Sequence, residues 1–159
     1  MIIISDTSPL CYLILIDCID ILPKLYGNVI IPQAVYQELQ AQATPETVKE
    51  WIQNYPNWLA VETISCPAAP ELEQLDQGEK EAIILAQQIN ANLIILDDKI
   101  ARTIAIERGL NIIGLLGILC DAVQANLIDL SSKFYELQQT SFFVSPQLLE
   151  SLLKKFNST

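Results

Sequence analysis

The chain of 159 residues contains no histidine. That absence removes Ser-His-Asp and Cys-His nucleophile pairs, a HExxH zinc site and every general base built on imidazole. Any chemistry must rest on carboxylates, hydroxyls, lysines or thiols. Positive charge is scarce as well: 9 Lys and Arg stand against 19 Asp and Glu, giving a formal charge of −10. A chain of that sign is poorly suited to holding a polyanion by phosphate contacts alone, unless the acids converge on one pocket and are offset there by metal. Cys11, Cys18, Cys66 and Cys120 form no CxxC pair and have no zinc-ligand spacing. They read as reduced thiols of a cytoplasmic protein. Long apolar runs are also missing. The longest, about Pro9 to Ile16, stops at Asp17, and Met1 to Asp6 has no basic region. The expectation is a protein neither embedded in a membrane nor carrying a classical secretory signal.

What is present suffices for one sizeable core. Apolar residues make up 51% of the sequence, and residues 1–159 read as a single domain without repeat or linker. Strand and helix signals alternate. Ile2-Ile3-Ile4 is a continuous apolar run of the kind a doubly covered parallel strand requires, and Ser8-Pro9 reads as an N-cap with a first-turn proline. Asp17 is placed to cap a second helix through Leu25. Val29-Ile30-Ile31 predicts the next strand, Pro32 a helix to about Gln42, and Thr44-Pro45 another to Gln53. Leu59 to Ile64 predicts a third strand, followed by an irregular stretch from Ser65 to about Gln77. Then come a helix from Gly78 to Ile89, the strand Leu93 to Leu96, the helix Asp98 to Arg108 and a short strand at Asn111 to Ile113. Helices near Leu115 to Ala125, Ser131 to Gln139 and Pro146 to Phe156 complete the pattern. It predicts an α/β fold of three layers, with a mostly parallel sheet of about four to five strands between helices.

In such a sheet, ligands sit beyond the carboxyl ends of the strands. Asp6 follows the first strand there, and Asp97 and Asp98 follow the fourth. A lone aspartate at such a junction is commonly only a helix cap, but Ser8 is the better cap here, which leaves Asp6 without a local job. Glu79 has Ala82, Ile83 and Ala86 three, four and seven residues on, so it lies on an apolar helix face. An ionised group there is costly unless paired or bound to metal, although an acid in a first turn is also favoured by the helix dipole. Glu38 lies beside Val35 and Leu39, with a rim salt bridge as its plain alternative. Together these acids offer hard oxygen ligands suited to Mg²⁺ or Mn²⁺ rather than Zn²⁺. Such ions lower the pKa of bound water and stabilise the attacking and leaving oxygens at phosphorus.

Five pieces occur in order along most of the chain: Asp6-Thr7-Ser8-Pro9-Leu10, Ile31-Pro32-x-x-Val35-x-x-Glu38-Leu39, Gly78-Glu79-x-x-Ala82-Ile83-x-Leu85-Ala86, Leu96-Asp97-Asp98-x-x-x-Arg102 and Ile113-Gly114-x-x-Gly117-x-Leu119. In these the sequence resembles the PIN domain family, in particular the VapC-like branch that includes the DUF3368 group. The resemblance implies a metal-dependent endoribonuclease acting on single-stranded RNA, often the toxin of a toxin–antitoxin pair with a small antitoxin protein as partner, and often a homodimer. By position it implies Asp6, Glu38, Glu79 and Asp98 as catalytic, with Asp6, Glu79, Asp97 and Asp98 as metal ligands and either Asp97 or Asp98 as the principal one after the fourth strand. The Thr7 or Ser8 hydroxyl would support the set, and Arg102 or Lys99 would meet an RNA phosphate. The branch lacks a further acid at the last strand end, where Gly114 stands.

Two other doubly wound carboxylate folds fit less well. A receiver-like phosphoacceptor resembles its relatives in a paired acid after the first strand, and a haloacid-dehalogenase-like phosphatase needs a second Asp at position 8, which is Ser8. The rival from another class is a PIN fold that binds antitoxin or RNA without cutting, a reading favoured by the charge of −10.

Overall fold

The computed structural model describes residues 1–65 and 69–157. Cys66 and part of the expected irregular stretch lie outside them. In chain order the elements are β1 (Ile3–Ser5), α1 (Thr7–Leu15), α2 (Ile21–Tyr26), β2 (Val29–Pro32), α3 (Gln33–Glu38), α4 (Glu46–Gln53) and β3 (Leu59–Glu62). After a 3-10 turn at Pro70–Leu72 come α5 (Gln77–Gln88), β4 (Leu93–Ile95), α6 (Lys99–Glu107), β5 (Ile112–Ile113), α7 (Leu115–Gln124), α8 (Leu130–Gln138) and α9 (Pro146–Asn157).

The five strands form one parallel sheet in the order β3-β2-β1-β4-β5. The chain works outward from β1 to β3 and then crosses back to the other side of β1. The strand order therefore reverses between β1 and β4, and a crevice opens beyond their carboxyl ends. Their register, Ile3 with Leu93, Ile4 with Ile94 and Ser5 with Ile95, brings the two strand ends level.

Side-chain alternation along the strands divides the interior in two. Ile3, Val29, Ile31 and Ile95 face one core with buried residues of α1, α2, α4, α7 and α8. Ile4, Ile94 and Leu96 face the other with α5 and α6. Burial of β1, β2 and β4 on both faces is why those strands are continuous in Ile, Val and Leu, whereas the edge strand β3 exposes Ala60 and Glu62 on one face.

Several boundaries differ from the sequence expectation, each for a local reason. Helix α1 begins at Thr7, with Asp6 in the N-cap position and no side-chain cap bond. Ser8 is thus inside the first turn and does not cap. Asp17 adopts a left-handed φ of 55°, a conformation Asp tolerates; it ends the α1 region instead of capping α2, which starts at Ile21. Helix α3 stops at Glu38 rather than near Gln42, because the Gln40 and Ala41 amides turn back three residues to Gln37 and Glu38. The Thr44 hydroxyl also donates to the Glu38 carbonyl at 3.0 Å. Among the described residues, no helix is long and apolar enough to cross a membrane.

Leu13 on α1 is fully buried in the first core. Leu13→Ala is expected to cost about 2–5 kcal/mol by creating a cavity, whereas Ile106→Ala, on the exposed side of α6, should stay within about 0.5 kcal/mol. Chemical denaturation of the two variants measures both; equal effects would contradict this layering.

Candidate active site

The crevice at the strand ends holds a cleft of about 430 Å³, lined by Asp6, Thr7, Ser8, Tyr12, Glu38, Asp76, Glu79, Asp97, Asp98 and residues Ser141 to Phe143. Asp6 reaches it because the ladder between β1 and β4 continues one step further: its amide donates to the Ile95 carbonyl at 3.0 Å. The carboxylate is only 5% exposed, and its Oδ1 is buried with no hydrogen-bond partner. Burial, followed by the charges of Asp76, Glu79 and Glu38, raises its pKa well above the usual carboxylate range, against the opposing Thr7 amide. A buried carboxylate with a free oxygen calls for a cation or a proton.

Glu38, the last residue of α3, is drawn in from the side. The Thr7 hydroxyl donates to its Oε1 at 2.6 Å and the Gly78 amide to its Oε2 at 2.8 Å. Position 78 has to be glycine for this approach, since a Cβ there would lie 2.5 Å from Glu38 Oε1. Burial and the nearby acids raise the Glu38 carboxyl, although Thr7 and Gly78 pull it down.

Asp76 and Glu79 enter together at the start of α5. The Glu79 amide donates to Asp76 Oδ1 at 2.8 Å and the Asp76 amide to Glu79 Oε1 at 3.1 Å, forming a capping box. This gives Glu79 the local partner that its apolar surroundings require. It remains 8% exposed, and desolvation pushes its carboxyl up to about 7. Asp76 was not anticipated from the sequence, and it completes the tightest group: Asp6, Glu38 and Asp76 each offer an oxygen within 4.8 Å of the others. The signal available for it was the Asp-x-x-Glu spacing ahead of an apolar helix.

The two acids after β4 diverge. Asp97 turns inward, accepting from the Leu115 amide at 3.0 Å through Oδ1 while Oδ2 is buried without a partner. Burial raises its pKa, with Leu115 and Arg102 opposing. Asp98 is exposed and caps α6 by accepting from the Ala101 amide at 3.0 Å. Of the two expected cations, Arg102 directs Nη1 to the Leu96 carbonyl at 3.0 Å, and Lys99 lines a neighbouring depression with Gln74 and Thr103. Neither lines the cleft. Gly114 lies beside Asp97 where a side chain would collide with Asp97 Oδ1 and Arg102 Nη1.

Residues 2–158 match the sequence profile of DUF3368, described as a PIN domain. The chain belongs to the PIN domain family. PIN domains are usually nucleases and typically use divalent metals. Among solved structures, this PIN domain is similar to a PilT N-terminus domain protein from the hyperthermophilic archaeon Sulfolobus solfataricus P2. The two are 22% identical with a TM-score of 0.56, over 77% of this chain and 93% of the other, a likeness of fold. No curated protein sequence matches at a significant level. The acidic cluster of this PIN domain fits a divalent ion on its own evidence: the donors are all carboxylate oxygens, and Asp6 keeps one of them buried and unpartnered.

Two outcomes follow from this geometry. Glu79 has an ordinary value of 4.5 and is pushed up to about 7, so between those values the folded protein binds more protons than the unfolded chain. Stability without metal should then fall as pH rises through that window. Thermal melts in chelator measure this, and Glu79→Gln should make the slope shallower; a flat profile in the unsubstituted protein would contradict the burial of these acids. Gly78→Ala should displace Glu38 without unfolding the chain and weaken divalent-ion binding by roughly tenfold, as loss of a supporting contact does elsewhere, read by calorimetry.

Proposed function

We propose that this PIN domain is a metal-dependent endoribonuclease that hydrolyses single-stranded RNA with Mg²⁺ or Mn²⁺. The observation that carries the reading is the grouping of Asp6, Glu38 and Asp76 within 4.8 Å, in a cleft where Asp6 Oδ1 is buried and unpartnered. These three would hold the ion, with Asp97 and the more exposed Asp98 also lining the cleft. A divalent ion bound there would supply charge neutralisation at a phosphodiester and a lowered pKa for water. Thr7 orients Glu38 through the 2.6 Å hydroxyl bond, and Ser8 offers a second hydroxyl in the cleft. Glu79, with Oε1 committed to the Asp76 amide, would hold or move a proton at Oε2. The free thiols Cys11, Cys18 and Cys120 accord with a cytoplasmic setting. The VapC-like resemblance extends the reading to the toxin of a toxin–antitoxin pair, held by a small antitoxin protein and acting as a homodimer.

A second reading, binding of antitoxin or RNA without cleavage, is favoured by the charge of −10 and by the absence of Lys99 and Arg102 from the cleft lining. Cleavage separates the two. Purified protein with Mn²⁺ or Mg²⁺ should cut single-stranded RNA. Asp6→Asn should abolish cutting, and Glu79→Gln should slow it by roughly 100-fold or more. Millimolar Mn²⁺ should also raise the melting temperature of the unsubstituted protein by preferential binding to the native state. Cleavage that survives Asp6→Asn in folded protein would sink the catalytic assignment, and no cleavage together with no metal-induced shift would favour the second reading.

A further inference from the structure

Phe143 is 81% exposed, yet it lines the same cleft as the carboxylates. Its neighbours in the segment after α8 are held firmly. The Thr140 hydroxyl bonds to the Leu137 carbonyl at 2.5 Å and receives the Phe142 amide at 3.2 Å. Tyr12 hydroxyl and Ser141 Oγ lie 2.8 Å apart, and the Tyr12 and Phe142 rings meet edge to face with centroids 5.1 Å apart. Phe142 is thus packed inward while the adjacent ring stands in water at the lip of the cleft.

We propose that Phe143 is a stacking platform for an unpaired nucleobase of the strand whose phosphodiester lies over the acidic cluster. The inference rests on the ribonuclease reading and specifies its substrate class: a flexible single strand gripped through a base face. Among the described residues lining the cleft there is no lysine or arginine, so attraction by charge is not available from the walls. Stacking needs no charge, and it tolerates any base because every base has a π-face. It also excludes duplex, whose base faces are already covered. A second exposed ring lies in an adjoining depression. Tyr135, 67% exposed, lines a neighbouring depression that shares Ser141 with the cleft, so a following base meets another aromatic surface.

The test is binding of fluorescein-labelled single-stranded RNA, followed by anisotropy on the full chain in Mg²⁺, together with steady-state cleavage. Phe143→Ala should weaken binding roughly tenfold, the scale of one lost base–aromatic stack, and raise KM with little change in kcat. Phe143→Trp should restore affinity, which a role confined to shape or folding would not predict. A 2-aminopurine base in the bound strand should be quenched by the unsubstituted protein and not by Phe143→Ala. Unchanged affinity in Phe143→Ala overturns the proposal, as does failure of the unsubstituted protein to bind RNA. A change of oligomeric state in Phe143→Ala with RNA affinity intact overturns it in favour of a protein-binding surface. Tight, Phe143-dependent binding without cleavage would leave the stacking site standing and remove only the nuclease reading, whereas cleavage indifferent to Phe143 would do the reverse.

Discussion

Carboxylates crowded out of water, in a cleft whose described lining holds no lysine or arginine, impose the constraint around which this PIN domain is organised. Asp6 is fixed there by backbone alone, through the Ile95 carbonyl that extends the β1 and β4 ladder. Each further acid is then held by donors belonging to its neighbours: Glu38 by Thr7 and Gly78, Asp76 and Glu79 by each other's amides, Asp97 by the first amide of α7. These neutral donors lower the cost of ionisation without cancelling it, which is why desolvation still dominates at Asp6, Glu38, Glu79 and Asp97. Among the acids of the cleft, the buried oxygens left without donors are on Asp6 and Asp97, which follow the neighbouring strands β1 and β4.

Much of the fold was legible because doubly covered strands leave a strong trace. Ile2 to Ile4, Val29 to Ile31 and Leu93 to Leu96 are apolar without interruption, and all contain strands of the parallel sheet. The strand-end rule then led to Asp6, Asp97 and Asp98 without knowledge of any contact. What escaped was set by interactions distant in sequence or by turns with weak local signals. Asp76 lay in a stretch read as irregular, and its value comes from closeness to Glu38 and Asp6, far away along the chain. The end of α3 at Glu38 depends on Thr44 and on turns that propensity does not encode. Arg102 could be read equally as meeting a phosphate or pairing with an acid; it donates to the Leu96 carbonyl and its charge acts on Asp97.

Several residues here serve architecture and chemistry with the same atoms. Asp76 and Glu79 start α5 while presenting charge to the cleft, and Asp98 starts α6 at its edge. A capping role and a ligand role are compatible because a carboxylate has two oxygens, one of which can satisfy an amide while the other faces outward. The plain reading of such an acid as a helix cap is therefore correct and incomplete, and only the convergence of several caps on one crevice distinguishes a site from ordinary helix chemistry.

Gly114 sets the room available beyond the last strand. At the end of the last strand a Cβ at this position would lie 2.5 Å from Arg102 Nη1 and 2.6 Å from Asp97 Oδ1. An aspartate introduced there by a single substitution would push away the acid already facing the cleft and the arginine behind it. Any side chain at position 114 therefore displaces the Asp97 carboxylate and the Arg102 guanidinium first, so the room left by this glycine is what lets those two groups lie where they do.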